Sequence, residues 1–176
     1  MGKPHSLVGE AIIQEMCEYA RDTPPGCIVE VGVYQGGTAW HLNELCKVQN
    51  RVLYLFDTFT GIPYRNVEMG DPCLPGDFSD CSEEQVRRDI PEAVIVRGLF
   101  PYSAFNLNIK NIAFVHLDCD QYQSYLDSAW YLGPLMISGG VMWFDDYCLP
   151  GAKKALDDTF GDRIQTAKCG KQFVKF

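Results

Sequence analysis

The stretch Phe114-Val-His-Leu-Asp118-Cys-Asp120 decides the fold, because an apolar run ends abruptly there in acidic residues. The same pattern recurs at Gly140-Val-Met-Trp-Phe-Asp145-Asp146. Each run is typical of a buried strand that delivers carboxylates to one edge of a sheet. Ligands of open α/β sheets bind outside the carboxyl ends of parallel strands, so we expect Asp118, Asp145 and Asp146 to converge on a hard cation such as Mg²⁺. The alternative is that these acids only cap helices or form turns.

Short apolar runs on both sides of this pair alternate with helical patterns, which favours a parallel sheet with right-handed crossovers. Strands are predicted at 27–33, 51–57, 93–98, 112–118 and 140–145. The last two strands, 164–169 and 172–176, are separated only by Gly170 and Lys171, which indicates an antiparallel hairpin at one edge. The sequence therefore predicts an α/β fold with a doubly wound, seven-stranded sheet that is mostly parallel and ends in an antiparallel hairpin.

The length of 176 residues fits a single domain, and 47% hydrophobic residues are enough for a core on both faces of a sheet. A helix predicted from Ser6 to Asp22, with Ser6 as N-cap, makes residues 1–25 a covering segment.

The stretch 61–81 is rich in proline, glycine and aspartate, and it is too long for an ordinary connection. We expect it to be a mobile lid or acceptor loop, the alternative being a surface insertion without a role. Ser82 and Gln85 have the spacing of a capping box before the next helix.

The charge and cysteine content exclude several classes of partner. The formal net charge is −8 without a long basic cluster, which argues against nucleic acid and favours a small-molecule partner. The start of the chain lacks an apolar signal segment, and no run approaches the roughly 20 apolar residues that span a bilayer, so we expect no membrane partner. The eight cysteines include no C-x-x-C pair and are expected to be reduced thiols of a cytoplasmic protein. A disulfide or metal site at Cys73 and Cys81 is the alternative.

A second candidate site lies where the first strand turns into a helix, at Glu30-Val-Gly32-Val-Tyr-Gln-Gly36-Gly37-Thr38. Glycines at such a turn let a ligand approach the backbone and the helix N–H groups, although tight packing alone would also explain them. Tyr34 stands in place of the middle glycine of the dinucleotide fingerprint, so this is a different motif. Asp57 ends the second strand, where doubly wound folds hold a ribose. Glu30 is expected to meet a cationic ligand group or backbone donors, because an unpaired buried carboxylate is unfavourable.

Together these segments resemble the class I S-adenosylmethionine-dependent methyltransferases, and in combination they look like the macrocin O-methyltransferase family. The likeness runs from about Gly26 to the C-terminus and is most specific over 54–63, 76–79, 114–122 and 139–147. The resemblance implies a Rossmann-like fold and transfer of a methyl group to a hydroxyl of a sugar or another small-molecule natural product, with bound Mg²⁺. It implies Asp118, Asp145 and Asp146 as metal ligands. The same three positions resemble the metal triad of catechol O-methyltransferases, in which Asn stands in place of Asp146.

The resemblance and the strand ends together predict further site residues. The predicted catalytic set is Asp118, Asp120 and His116, in which Asp120 or His116 would accept a proton and His116 is alternatively a core histidine. The catechol enzymes carry a catalytic lysine just after the first metal acid, and here that neighbourhood holds Asp120 and Gln121. Phe100 is expected to pack on an adenine ring or to belong to the core. The predicted cofactor contacts are Glu30, Gly32, Tyr34, Gly36, Thr38, Asp57, Thr58, Gly98 and Phe100.

One departure from the family pattern and two rival functions remain open. The chain is shorter at its N-terminus than longer family members, so the acceptor pocket is expected to be more open or to be completed by a second subunit of a homo-oligomer. A glycosyltransferase or phosphotransferase that uses Asp118-Cys-Asp120 as a D-x-D metal motif would leave Glu30, Gly32 and Asp57 without a task. A non-catalytic cofactor-binding module would have no need for three convergent acids.

Overall fold

The computed structural model describes residues 3–176, and this part of the chain forms a seven-stranded sheet in the order β3-β2-β1-β4-β5-β7-β6. Strands β1 to β5 pair in parallel, whereas β7 pairs antiparallel with both β5 and β6. The predicted fold class is therefore confirmed. The strands are β1 (Cys27–Val31), β2 (Leu53–Asp57), β3 (Val94–Arg97), β4 (Ile112–Leu117), β5 (Met136–Phe144), β6 (Gln165–Thr166) and β7 (Gln172–Lys175).

Helices cover both faces of the sheet. Successive strand residues point to opposite faces, and accordingly Phe114 and Val115 of β4 belong to different buried clusters. Residues of the first three helices pack in the cluster of Phe114, and residues of the last two pack in the cluster of Val115. The α-helices are α1 (Glu10–Arg21), α2 (Gly37–Gln49), α3 (Glu83–Asp89), α4 (Tyr122–Leu132) and α5 (Pro150–Phe160).

Several element boundaries differ from the sequence-based expectation. Strand β5 begins at Met136 rather than at Gly140, and β1 ends at Val31 rather than at Val33. Helix α1 begins after Gly9 and has no side-chain cap, so Ser6 is not its N-cap. The Ser6 hydroxyl instead accepts a hydrogen bond from the Val8 N–H at 3.1 Å, within a turn that precedes the helix. The C-terminal hairpin is also shorter than predicted, because β6 has two residues and the Ala167 N–H closes a turn onto the Lys171 carbonyl at 2.8 Å. By contrast, Ser82 caps α3 as predicted, with its Oγ accepting from the Gln85 N–H at 3.3 Å.

The segment 61–81 is anchored to the body of the domain through Asp71, which is 1% exposed. One oxygen of this carboxylate accepts from the Tyr122 N–H at the start of α4 (2.8 Å), and the other accepts from the Asn66 N–H (3.0 Å). The segment contains a short 3-10 helix, Val67–Met69. It is therefore a docked loop rather than a free insertion, and its predicted mobility remains a prediction.

All eight cysteines are free, so Cys73 and Cys81 do not form a disulfide. Within residues 3–176, no helix combines the length and the apolar character that a membrane crossing requires.

Candidate active site

A cavity of about 260 Å³ lies at the carboxyl ends of the five parallel strands. Its lining includes the residues at or just after the ends of β1, β2, β3, β4 and β5. Strands β2 and β4 flank β1 on opposite sides, so the cavity sits where the order of the sheet reverses. Ligands of doubly wound sheets bind at this topological switch point. The lining includes predicted site residues from both candidate sites, namely Glu30, Gly32, Tyr34, Thr38, Asp57, Thr58, Gly98, Phe100, Asp118, Asp120, Asp145 and Asp146.

The glycine turn after β1 is built around Gly32, whose φ of +89° favours glycine. A Cβ at Gly32 would overlap the main-chain carbonyl of Asp118, so the absence of a side chain lets the ends of β1 and β4 approach each other. Gly36 also has positive φ and is the N-cap of α2, but it does not line the cavity. Its neighbour Gly37 does line the cavity. Gly37 rather than Gly36 therefore lines the cavity, Gly36 being the N-cap of the helix, and a cofactor contact at this turn remains a prediction.

Asp57 ties the glycine turn to the end of β2. Its Oδ2 accepts from the N–H groups of Val33 (2.7 Å) and Tyr34 (2.8 Å), and its Oδ1 accepts from the Phe59 N–H (2.7 Å). A carboxylate offers about four acceptor sites, so one remains for a ligand hydroxyl. Asp57 is thus held rigidly at the cavity wall and retains acceptor capacity toward it.

Glu30 and His116 form a buried pair on adjacent strands. The two residues are register partners in β1 and β4, and His116 Nδ1 lies 2.8 Å from Glu30 Oε1 with both side chains essentially unexposed. The sequence did not suggest this histidine partner, which engages Oε1 alone, and a cationic ligand group at the other oxygen of Glu30 remains a prediction. Burial raises the pKa of the Glu30 carboxyl, and the hydrogen bond from His116 opposes this shift.

The same pair changes the assignment of His116. His116 is 0% exposed and lies outside the cavity lining, so its ring cannot contact an acceptor hydroxyl there. The catalytic role considered for His116 is corrected to that of a core histidine that supports Glu30. Glu30 itself lines the cavity, and its Oε2 has no hydrogen-bond partner among residues 3–176.

The acids Asp118, Asp145 and Asp146 come together as expected, with one oxygen of each within 4.8 Å of the others. Burial raises the pKa of Asp118 well above its usual value, and the charges of Asp146 and Asp145 raise it further. Repulsion among three carboxylates is relieved by a cation, and hard oxygen ligands suit Mg²⁺. The residues at this site therefore fit the metal that the resemblance implies.

Neighbouring residues contact one carboxylate oxygen of Asp146 and one of Asp145. Asp146 Oδ2 accepts from the Asp120 N–H and from the Tyr125 hydroxyl, both at 2.9 Å. Asp145 Oδ2 lies 2.8 Å from Lys171 Nζ. The positive charge beside Asp145 is thus supplied from the loop between β6 and β7.

Asp120 stands beside this cluster rather than within it. Its backbone has a positive φ of 60°, and its Oδ1 lies 3.8 Å from the Cys73 thiol of the docked loop. Burial, followed by the charge of Asp146, raises the pKa of Asp120 to about 7. A carboxylate with this pKa at the wall of a cavity is suited to accept a proton near neutral pH.

The far side of the cavity is aromatic. Phe100 is 6% exposed and packs edge-on against Phe56 and Tyr131, with ring centroids 4.9 and 5.3 Å apart. It also lines the cavity, so the core role and the ligand-facing role are compatible. The Tyr34 side chain points its hydroxyl to Asp80 at 3.0 Å, which places that oxygen in a polar contact at the protein surface.

The sequence analysis missed the N-terminal segment His5–Val8, which lines the cavity. It lies against the start of α2, where a Cβ on Gly37 would overlap His5 and Ser6. The segment carries no periodic pattern of its own. Its only signal was the second glycine of the Gly36-Gly37 pair, which leaves room for a chain crossing above the helix. Two serines of α4, Ser124 and Ser128, also line the cavity and are not among the predicted site residues.

A family model described as Macrocin-O-methyltransferase (TylF) matches residues 3–167. Among characterised proteins, the chain is 27% identical to demethyldecarbamoylnovobiocin O-methyltransferase of Streptomyces niveus over 179 residues, covering 88% of this chain and 67% of the relative. It is 24% identical to mycinamicin III 3''-O-methyltransferase of Micromonospora griseorubida over 180 residues, covering 88% of this chain and 69% of the relative. The solved structure of the O-methyltransferase NovP superposes with a TM-score of 0.84 at 24% identity, covering 97% of this chain and 81% of that chain, and supports the fold.

Proposed function

Because this chain belongs to the macrocin O-methyltransferase family, we propose that it methylates a hydroxyl of a sugar or another small-molecule natural product with S-adenosylmethionine and Mg²⁺. Membership makes it an S-adenosylmethionine-dependent O-methyltransferase. The observation that carries the proposal is that one cavity is lined by both the glycine turn with Asp57 and the acids Asp118, Asp145 and Asp146. The cofactor and an acceptor bound to the ion would therefore lie next to each other in this cavity.

The cofactor half of the cavity contains groups of the required chemistry. Asp57 would accept hydrogen bonds from the ribose hydroxyls through its remaining acceptor site. Phe100 would pack against the adenine ring. Glu30, with a carboxylate oxygen that lacks a protein partner, would receive the positively charged amino group of the methionine moiety. S-Adenosylmethionine supplies an electrophilic methyl group, and the protein contributes by positioning it.

Further predicted contacts would complete that half. Gly32, which lines the cavity at the end of β1, would present its main chain to the cofactor. Tyr34, Thr38, Thr58 and Gly98 all line the cavity and remain proposed contacts.

The acceptor half consists of the three acids, Asp120 and the docked loop. Asp118, Asp145 and Asp146 would hold Mg²⁺, which when bound would orient the acceptor hydroxyl and lower its pKa. Asp120 would accept the hydroxyl proton, in keeping with its pKa of about 7. The loop 61–81, with Ile62, Pro63 and Phe78 at the cavity, would select the acceptor.

The D-x-D glycosyltransferase or phosphotransferase alternative is wrong, because the chain belongs to a methyltransferase family. The acidic cluster also differs from that motif, since it joins Asp118 to Asp145 and Asp146 rather than to Asp120. A cytoplasmic location and a possible homo-oligomer remain predictions.

Methyl transfer can be tested with labelled S-adenosylmethionine and a panel of sugar-bearing natural products and catechols, with Mg²⁺ and with excess EDTA. We expect labelled product from a sugar hydroxyl, only with Mg²⁺. Calorimetric titration of S-adenosylmethionine provides the companion measurement that needs no acceptor. Absence of cofactor binding to the folded protein would overturn the proposal, and product formation undiminished in EDTA would overturn its metal component.

A further inference from the structure

Lys171 reaches the acidic cluster from the loop between β6 and β7, directly before β7, where the antiparallel pairing of Gln172 with Phe144 sets it beside the end of β5. Its Nζ lies 2.8 Å from Asp145 Oδ2 and donates to the main-chain carbonyl of Asp145 at 2.5 Å. The Lys171 side chain is 19% exposed and that of Asp145 is 13% exposed. Two contacts to one residue fix the orientation of Asp145 more firmly than a single surface ion pair does.

The contact with Lys171 makes the two carboxylate oxygens of Asp145 unequal. Oδ2 is engaged by Lys171, whereas Oδ1 is buried and has no hydrogen-bond partner among the described residues 3–176. Asp146 shows the same division, because its Oδ2 is engaged by the Asp120 N–H and the Tyr125 hydroxyl. Each of these acids is thus held with one oxygen occupied by the protein.

We propose that Lys171 is a positioning residue that sets the ion selectivity of the acidic cluster, because it restricts Asp145 to ligation through one oxygen. The inference rests on the proposed function, since it concerns the proposed Mg²⁺ ligands. Mg²⁺ takes six ligands in a compact octahedron, whereas Ca²⁺ takes six to eight and accepts bidentate carboxylates. A cluster in which two of the three carboxylates, those of Asp145 and Asp146, have one oxygen engaged by the protein therefore favours Mg²⁺ over Ca²⁺.

Removal of Lys171 has two opposing effects on absolute affinity. Loss of a nearby positive charge strengthens the binding of any divalent cation, and loss of the contacts that orient Asp145 weakens it. The charge effect is nearly the same for Mg²⁺ and Ca²⁺, since both ions are divalent. The ratio of the two dissociation constants therefore isolates the positioning role from the charge.

The test is calorimetric titration of MgCl₂ and of CaCl₂ into the full chain, for the wild type and four variants. Lys171→Met removes the ammonium but keeps the stem, and Lys171→Ala repeats the deletion with a smaller side chain. Lys171→Arg keeps a cationic donor. Lys168→Met is the matched control, because Lys168 lies on the same loop, is exposed and forms no ion pair with any residue from 3 to 176.

We expect Lys171→Met and Lys171→Ala to shift the ratio of dissociation constants toward Ca²⁺ by about tenfold, the lower end of effects from groups that orient metal ligands. Lys171→Arg and Lys168→Met are expected to keep the wild-type ratio. An unchanged ratio in folded Lys171→Met and Lys171→Ala, with Mg²⁺ still bound by the wild type, would overturn the inference and leave the proposed function intact. Failure of the wild type to bind Mg²⁺ would overturn both.

Discussion

Single residues at this site serve the fold and the proposed chemistry at once. Asp57 accepts from two N–H groups of the glycine turn and from the Phe59 N–H after β2, and the same carboxylate is the proposed acceptor for a ribose hydroxyl. A variant at such a residue needs a readout for each role. Binding of the cofactor and thermal unfolding must therefore be measured together.

We expect Asp57→Ala to weaken S-adenosylmethionine binding by about 1.5–3 kcal/mol, because hydrogen bonds to a charged acceptor are lost. Calorimetry gives the affinity, and Asp162→Ala is a control because Asp162 is exposed and outside the cavity lining. Asp57→Asn, which keeps one acceptor oxygen, should fall between Asp57→Ala and the wild type. Wild-type affinity in folded Asp57→Ala would remove Asp57 from the cofactor site.

We expect Asp120→Asn to lower turnover by about 10²–10⁴-fold, the usual contribution of a general base. The variant should still bind S-adenosylmethionine and Mg²⁺, because Asp120 touches Asp146 only through its main-chain N–H. Turnover at saturating substrates is the measurement. Asp127→Asn, a change on the next helix outside the cavity, is the control. Turnover of Asp120→Asn equal to that of the control would show that another group accepts the proton.

The sequence predicts which acids at strand ends come together. It does not predict the partners that these site residues receive from other parts of the chain. Asp118, Asp145 and Asp146 follow strands whose parallel pairing brings their ends to one edge, so their convergence follows from the strand pattern. Lys171 directly precedes β7, and its place beside Asp145 follows from the antiparallel pairing of β7 with β5, a long-range contact that the local sequence does not show. Likewise, the partner of Glu30 is set by the register of β1 against β4, which places His116 opposite it.

At the scale of elements, the buried carboxylate of Asp71 joins the docked loop to helix α4. Asp71 satisfies the Tyr122 N–H, one of the donors that the first turn of α4 leaves without helical partners. It also fixes Asn66 within the loop. Asp71 therefore couples the loop to the start of α4, where the Tyr64 hydroxyl also contacts Ser124 Oγ at 3.0 Å.

We expect Asp71→Ala to destabilise the protein by about 1–3 kcal/mol, because a helix cap is lost and buried donors lose their acceptor. Denaturant unfolding measures the loss, and hydrogen exchange should rise at Asn66 and Tyr122. Glu68→Ala, at an exposed position of the same loop, is the control and should leave both unchanged. Equal stability of the two variants would mean that other contacts hold the loop.

Element types could be predicted because buried parallel strands are continuous apolar runs and α3 carries its own cap in Ser82. The less successful predictions lay at chain segments whose ends are set by tertiary contacts. Ser6 has the chemistry of an N-cap, but the chain at His5 and Ser6 lies over Gly37, and α1 starts later, after Gly9. The pattern of 164–169 suggested a full strand, but the turn closed by Ala167 and Lys171 shortens it to β6.

At the scale of the whole molecule, the switch point of the sheet unites two proposed half-sites in one cavity. The sequence predicts both halves, since each is a strand end followed by polar residues. Of the two segments that cover the cavity, the sequence predicts 61–81 as a lid or acceptor loop from its length and composition. It does not predict the segment 5–8, which is placed by packing against Gly37.

Metal removal should affect the acceptor half of the cavity and leave the cofactor half unchanged. We expect excess EDTA, or Asp145→Ala, to abolish methyl transfer and to leave S-adenosylmethionine affinity nearly unchanged, because the three acids are proposed to face the acceptor rather than the cofactor. Turnover assays and calorimetry under the same conditions check this. Restoration of turnover in the wild type by excess Mg²⁺ excludes damage by the chelator, whereas full activity in EDTA would contradict the metal assignment.

The most direct test of a single cavity with a cofactor half and a metal half is a crystal structure of the full chain with S-adenosylhomocysteine and Mg²⁺. The account predicts the ribose at Asp57 and one Mg²⁺ bound by Asp118, Asp145 and Asp146, with metal–oxygen distances of about 2.0–2.1 Å. A nucleoside bound elsewhere, or a fully occupied cofactor with no ion among these three acids at saturating Mg²⁺, would contradict it.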